Sequence, residues 1–103
     1  MSTVQLRRYR LQPGRLAEFL AWFPTIVPVR EQFGFRVLFA LADHELETFT
    51  WAVAHEGDEA AFRATEEVYN ASPERAAAFE TFPRVIAEQV NGFVEDVLEG
   101  RAR

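Results

Sequence analysis

The stretch Phe49-Thr50-Trp51-Ala52-Val53-Ala54-His55 alternates large apolar and small residues with a period of two, the pattern of a half-buried strand. Successive side chains of a strand leave it on opposite faces. Phe49, Trp51, Val53 and His55 therefore share one face, and Thr50, Ala52 and Ala54 share the other. The first face is aromatic and ends in a titratable imidazole. The second is smooth enough to lie under a helix. Buried chemistry in this chain is expected to touch the aromatic face.

The neighbouring segments take their places around that strand. Val4 to Leu11 reads as a first strand, with Val4, Leu6, Arg8 and Arg10 on one side and Gln5, Arg7, Tyr9 and Leu11 on the other. Alternation alone leaves open which side faces inward, because Leu6 competes with Tyr9. Gln12-Pro13-Gly14 is a turn that opens a helix. Leu16, Phe19, Leu20, Phe23 and Val27 follow at helical spacing, with Trp22 beside the stripe. Pro24 removes a backbone bond in the helix interior and should kink or break it. Thr25 is expected to cap a second short helix carrying Pro28 in its first turn, and Gly34 to end it in a left-handed conformation.

Phe35 to Ala42 reads as the second strand, with Phe35, Val37, Phe39 and Leu41 on one face. The turn Asp43-His44-Glu45 leads into the third strand, Glu47 to His55, so the pair should form an antiparallel hairpin. Asp58 caps the next helix, whose inner stripe is Ala61, Phe62, Thr65, Val68 and Tyr69. Asn70-Ala71 breaks it, and Ser72-Pro73-Glu74 restarts a helix that carries Phe79 and Phe82 before Pro83. Val90 to Leu98 is expected as the last strand, with a bulge or bend at Asn91-Gly92, and Gly100 to Arg103 should fray.

Strand, helix, strand, strand, helix, strand is the split βαβ plan of a ferredoxin-like α+β domain with an antiparallel four-stranded sheet. The 103 residues suit one domain spanning 1–103. Helices cover one face of such a sheet, and nothing in the chain covers the other, although the strands are apolar on both sides. Burying one large aromatic side chain is worth about 3 kcal/mol, so a second copy packed sheet to sheet is the simplest cover. The expected assembly is a homodimer with a shared, barrel-like interior.

Charge and composition exclude several functions. The net charge is −5, and the 11 basic residues are scattered apart from Arg7, Arg8 and Arg10 and the tail pair Arg101 and Arg103, which argues against a nucleic-acid partner. No apolar run is long enough for a membrane span, and none resembles a signal peptide. The absence of cysteine rules out a disulfide framework and thiolate chemistry and fits the cytoplasm. His44 and His55 are the only imidazoles and show no metal-ligand spacing, so neither a metal nor a haem cofactor is expected. No phosphate-binding loop, nucleotide fingerprint or nucleophile elbow is present.

Leu6-Arg7-Arg8-Tyr9-Arg10-Leu11-Gln12-Pro13-Gly14 resembles the opening signature of NIPSNAP-family domains, a Leu-Arg-x-Tyr-x-Leu-x-Pro-Gly pattern. Phe49-Thr50-Trp51 is similar to their Phe-Val-Trp strand, and Phe62 to Pro73 to their second helix and its restart. The resemblance runs in consistent order along nearly the whole chain. It implies the dimeric α/β-barrel fold shared with antibiotic-biosynthesis monooxygenases, haem-degrading monooxygenases, muconolactone isomerases and polyketide cyclases. It transfers fold far better than activity. The chain departs from the family pattern at Arg75, where such domains often carry Trp, and at Glu80 and Arg84, where they often carry His and Asp.

Three sets of residues are candidates for chemistry. His55 titrates near neutrality when unperturbed and suits a general acid or base; alternatively it is an ordinary strand-end histidine. Arg7 and Tyr9 share a face and suit holding an anion and donating to an oxyanion; alternatively Arg7 pairs with an acid at the dimer seam and Tyr9 packs. Trp51, Phe49, Phe39 and Trp22, with Phe35, suit an aromatic ligand pocket; alternatively they are core or interface. Glu66-Glu67 reads as a solvated helix face. Two functions stand open. One is a cofactor-independent monooxygenase, isomerase or cyclase acting on a hydrophobic or aromatic small molecule in the barrel cavity. The other is a non-catalytic structural or ligand-sequestering homodimer.

Overall fold

In the computed structural model, which describes residues 1–98, the chain opens with strand β1 (Ser2–Leu11). Gln12-Pro13-Gly14 turns it, with Gly14 at φ 78°. That left-handed residue cannot continue a right-handed helix, so α1 (Leu16–Trp22) begins after it rather than at Pro13. Pro24 converts the next three residues into a 3₁₀ turn (Phe23–Thr25), the break expected of an interior proline. Helix α2 (Val27–Gln32) follows with Pro28 in its first turn, but Ile26 and not Thr25 occupies the cap position, with no side-chain bond.

The end of α2 is a Schellman motif. Gly34, at φ 95°, donates its N–H to the carbonyl of Glu31 at 3.0 Å, and Phe35 donates to that of Arg30 at 3.1 Å. This closure fixes Arg30 and Phe35 relative to one another before β2 (Arg36–Asp43) starts. The hairpin turn is held by Asp43, whose Oδ1 accepts from the N–H groups of Glu45 and Leu46. Strand β3 (Thr48–Glu56) returns beside β2.

Helix α3 (Glu59–Asn70) is capped by Asp58, which accepts from the Ala61 N–H at 2.9 Å. Helix α4 (Pro73–Phe79) is capped by Ser72, which accepts from the Arg75 N–H at 3.1 Å. On α3 the buried stripe is Phe62 and Tyr69; Val68 is 62% exposed and points away. Strand β4 spans Ile86–Val94, four residues earlier at each end than the expected Val90–Leu98. The polar run Glu88-Gln89 hides its start, yet Glu88 sits opposite Arg10 and pairs with it at 2.7 Å. Asn91 and Gly92 stay in regular register; the irregularity lies where Arg10 and Leu11 oppose Glu88 and Ile86. The expected fraying of Gly100 to Arg103 falls outside the described residues.

The four strands pair antiparallel in the order β2-β3-β1-β4, the ferredoxin-like arrangement. Directly opposed residues share a face. Gln5, Arg7 and Tyr9 lie opposite Val53, Trp51 and Phe49, and these are the residues that meet the helices. Phe19 packs edge to face on Phe49 with centroids 4.9 Å apart, and Phe23 on Trp51 at 5.0 Å. The aromatic face of β3, rather than its small face, therefore lies under the helices. Offset and edge-on aromatic contacts of this kind add to the transfer free energy of burial.

The other sheet face is open. It carries Val4 and Leu6 of β1, opposite Ala54 and Ala52 of β3 and opposite Val94 and Gly92 of β4. Phe39 and Leu41 belong to it as well, which corrects the expectation that they share a face with Phe35 and Val37. The register slips between Val37 and Phe39, so Val37 opposes Val53 while Phe39 opposes Ala52. One extra residue, Leu38, reverses the phase of everything after it. Phe39, Leu41, Val90 and Val94 are consequently 41%, 60%, 59% and 44% exposed.

Candidate functional site

Between the sheet and the helices lies a cavity of about 150 Å³. Arg7 and Tyr9 of β1 and Trp51 of β3 form its floor. Trp22, Phe23, Ile26 and Arg30 close it from the α1–α2 side, Tyr69, Arg75 and Phe79 from α3 and α4, and Ile86 and Gln89 from β4. It is an aromatic chamber between sheet and helices, on the covered face of the sheet and not on the open one.

Three guanidinium groups enter this chamber. Arg7 is tied down by its neighbours on the strand: its Nε donates to the Tyr9 hydroxyl oxygen at 2.9 Å and its Nη1 to the Gln5 Oε1 at 2.7 Å. Arg30 is 3% exposed and stands over three rings, its guanidinium carbon 4.2 Å from the centroid of Tyr69, 5.0 Å from Phe35 and 5.5 Å from Trp51. Arg75 lies 4.1 Å from the Phe79 centroid and 5.7 Å from that of Tyr69. Their anionic neighbour is Glu66, which reaches Arg30 at 3.4 Å and Arg7 at 3.7 Å. Glu66 is thus a half-buried bridge between two elements rather than part of a solvated face.

Local structure explains the convergence. The Schellman closure of α2 fixes the backbone of Arg30. The cap at Ser72 fixes that of Arg75, and the same hydroxyl donates to the Tyr69 carbonyl at 2.7 Å, locking the α3–α4 corner. Glu66 and Tyr69, three apart on α3, look toward the sheet together.

Hydrogen bonding in the chamber is incomplete. Arg30 Nε, Arg75 Nε and Trp51 Nε1 are buried and have no partner among the described residues. Burial is the main cause that pushes the Arg30 guanidinium below its usual range; the nearby Arg7 charge adds to this, while Tyr69 and Glu66 oppose it. Burial likewise raises the Tyr69 phenol, against the pull of Arg30, Arg75 and Arg7, so that ring stays neutral beside the three cations.

The residues singled out in the sequence fall into two groups. Arg7, Tyr9, Trp51 and Trp22 line the cavity, and Trp22 is held there by its Nε1 donating to the Ala78 carbonyl at 2.9 Å. Phe49 is buried behind the lining against Tyr9, Phe19 and Phe23. Phe39 is on the opposite face of the sheet, for the reason of register given above. His55 sits four residues beyond Trp51, roughly 13 Å along the strand, between Phe35 and Phe62 with centroids 5.3 and 6.2 Å away. It does not line the cavity, and its Nδ1 is buried without a partner among the described residues.

Sequence reasoning missed Arg30, Glu66 and Arg75 as site residues. A signal for the first was available. Phe19, Phe23, Ile26 and Arg30 recur at helical spacing, so Arg30 is a charge in phase with an apolar stripe. Among the described residues no three His, Cys, Asp or Glu side chains gather as a metal site needs, and no helix is long and apolar enough to cross a membrane.

The fold is that of the NIPSNAP domains and the antibiotic biosynthesis monooxygenase-like proteins. An uncharacterized NIPSNAP domain protein from Burkholderia xenovorans superposes with a TM-score of 0.79 at 21% identity, over 93% of this chain and 94% of that one. A NIPSNAP family protein of unknown function from Agrobacterium tumefaciens gives 0.81 at 11% identity, over 92% and 87%. A Bacteroides thetaiotaomicron protein provisionally assigned as an antibiotic biosynthesis monooxygenase gives 0.72 at 20% identity, over 96% and 92%. No protein-family model matches the sequence, and no curated protein does.

Proposed function

We propose that this protein is a homodimer, joined through the open sheet face, that binds a small hydrophobic or aromatic molecule in the cavity between its sheet and helices. The observation that carries the binding reading is the chamber itself: a pocket of about 150 Å³ walled by Trp51, Trp22, Tyr9 and Tyr69, with Arg7, Arg30 and Arg75 also in its lining. Apolar pockets with a few convergent polar groups are where small ligands bind. A cavity of similar volume elsewhere holds benzene, so the ligand is of single-ring size. Dimerisation is supported by the exposed Phe39, Leu41, Val90 and Val94 on one sheet face, a patch of the kind that marks an interface.

A catalytic role is supported by one contact. Arg7 holds Tyr9 at 2.9 Å with the phenol at the cavity wall, a pair suited to stabilising an enolate or phenolate oxygen in a cofactor-independent oxygenation, isomerisation or cyclisation. With His55 outside the lining, the wall offers stabilisation of charge rather than a near-neutral base. This favours binding over proton transfer.

Thermal unfolding against a panel of single-ring compounds tests the binding reading. The expected result is a saturable rise in melting temperature, about 2.7 kcal/mol of stabilisation at a hundred times Kd, that is lost in Trp51→Ala. A panel in which no single-ring compound shifts the transition would overturn it.

A further inference from the structure

We infer that Arg30 and Arg75, with the indole N–H of Trp51, form a recognition site for the anionic head of the ligand, so that the chamber selects a single-ring aromatic carboxylate over its neutral counterpart. The inference rests on the reading that this cavity takes a ligand, and adds the ligand's charge.

Counting charges leads there first. Arg7, Arg30 and Arg75 bring three cations to the chamber, and Glu66 is the carboxylate that reaches two of them. Tyr69, the ring beneath Arg30 and Arg75, is held neutral by burial. Buried cations without counter-charge are normally paired or replaced by apolar residues. Here three guanidinium groups share one carboxylate among the described residues, an excess of two positive charges, and Arg75 is the one that Glu66 does not reach.

The unused donors lead to the same place. Arg30 is 3% exposed and Trp51 is 3% exposed, and among the described residues Arg30 Nε and Trp51 Nε1 have no partner, as is also true of Arg75 Nε. All three side chains line one chamber, with the three donor atoms themselves covered by neighbouring atoms. A carboxylate carries two oxygens with about four acceptor positions, takes charge-assisted bonds from guanidinium and accepts from an indole N–H. A neutral ring satisfies none of the three. Arg7 is excluded from the count because Tyr9 and Gln5 already engage it.

The aromatic half of the ligand follows from the walls and the volume. Trp51, Trp22 and Phe79 line the remainder, and the space suits one ring rather than two. A bare inorganic anion would leave those walls uncovered.

Calorimetric titration of the purified protein with benzoate, benzamide and acetate decides the matter. Benzoate should bind at least tenfold tighter than benzamide and than acetate. Arg75→Met should remove most of that preference, Arg30→Lys should weaken it, and Glu66→Gln, which deletes the competing carboxylate, should tighten benzoate severalfold without affecting benzamide. Benzamide binding as well as benzoate would overturn the anion site while leaving the cavity a ligand site. Acetate binding as well as benzoate would overturn the aromatic class. Failure of all three to bind would overturn this inference, and the single-ring panel then decides the cavity reading separately. The Arg75→Met variant keeps the test valid should Arg30 variants fold poorly, because Arg75 is less buried.

Discussion

The guanidinium carbon of Arg30 stands 4.2 Å from the centre of the Tyr69 ring, with Nε buried and unpaired among the described residues. Cation and ring come from α2 and α3, and each is held by a local motif rather than by the other. The arrangement costs stability that a solely structural core would recover by using an apolar residue. Sites that carry such costs are commonly functional.

Replacing the cation tests that cost. Arg30→Met keeps the packing over Tyr69, Trp51 and Phe35 and removes an under-paired buried charge. Glu66 keeps Arg7 as its partner after the change, so stability in urea is expected to stay within about 1 kcal/mol of the parent. A loss of about 3 kcal/mol or more would mark Arg30 as structural glue instead.

Tyr69 gives the alkaline behaviour a sign. Burial raises its folded pKa above the ordinary 10.0. Below pH 10 both states hold the phenolic proton and its contribution is fully present; above it the unfolded chain releases the proton first, so stability falls as pH climbs toward the folded value. Melting temperatures measured upward from pH 9 should therefore fall less steeply in Tyr69→Phe than in the parent. Parallel slopes would contradict the assignment.

Much of this architecture was legible locally. Ser72-Pro73-Glu74 announced α4, Gly34 announced the end of α2, and the period-two run Phe49 to His55 announced β3, because caps, left-handed residues and alternation depend on near neighbours. The phase of β2 was not legible. A bulge at Leu38 leaves no mark in a run of apolar residues, and it moved Phe39 from the expected pocket to the open face. The start of β4 was hidden because Glu88 is stabilised by Arg10, far away in sequence. The site was half legible: Arg7, Tyr9, Trp22 and Trp51 were found by pattern. Arg30, Glu66 and Arg75 converge only through tertiary packing.

The cap at Ser72 carries two duties, and Ser72→Ala separates them. Loss of a capping hydroxyl costs about 1 kcal/mol. Because the same oxygen locks the Tyr69 carbonyl, benzoate affinity should fall together with stability. Stability lost with unchanged affinity would show that the α3–α4 corner does not position Arg75.

The open face makes a separate prediction. Leu41→Asp or Val90→Asp places a charge among Phe39, Val94 and Leu6, and should convert a dimer to monomer in sedimentation at micromolar concentration while leaving the sheet–helix core intact by circular dichroism. A parent protein that sediments only as monomer would contradict the proposed assembly.

The central claim is tested most directly by a crystal structure of the protein with benzoate. The carboxylate should lie within hydrogen-bond distance of Arg30, Arg75 and the Trp51 Nε1, with its ring against the aromatic wall. Benzoate density on the open sheet face, or a chamber closed by its own side chains at saturating benzoate, would contradict it.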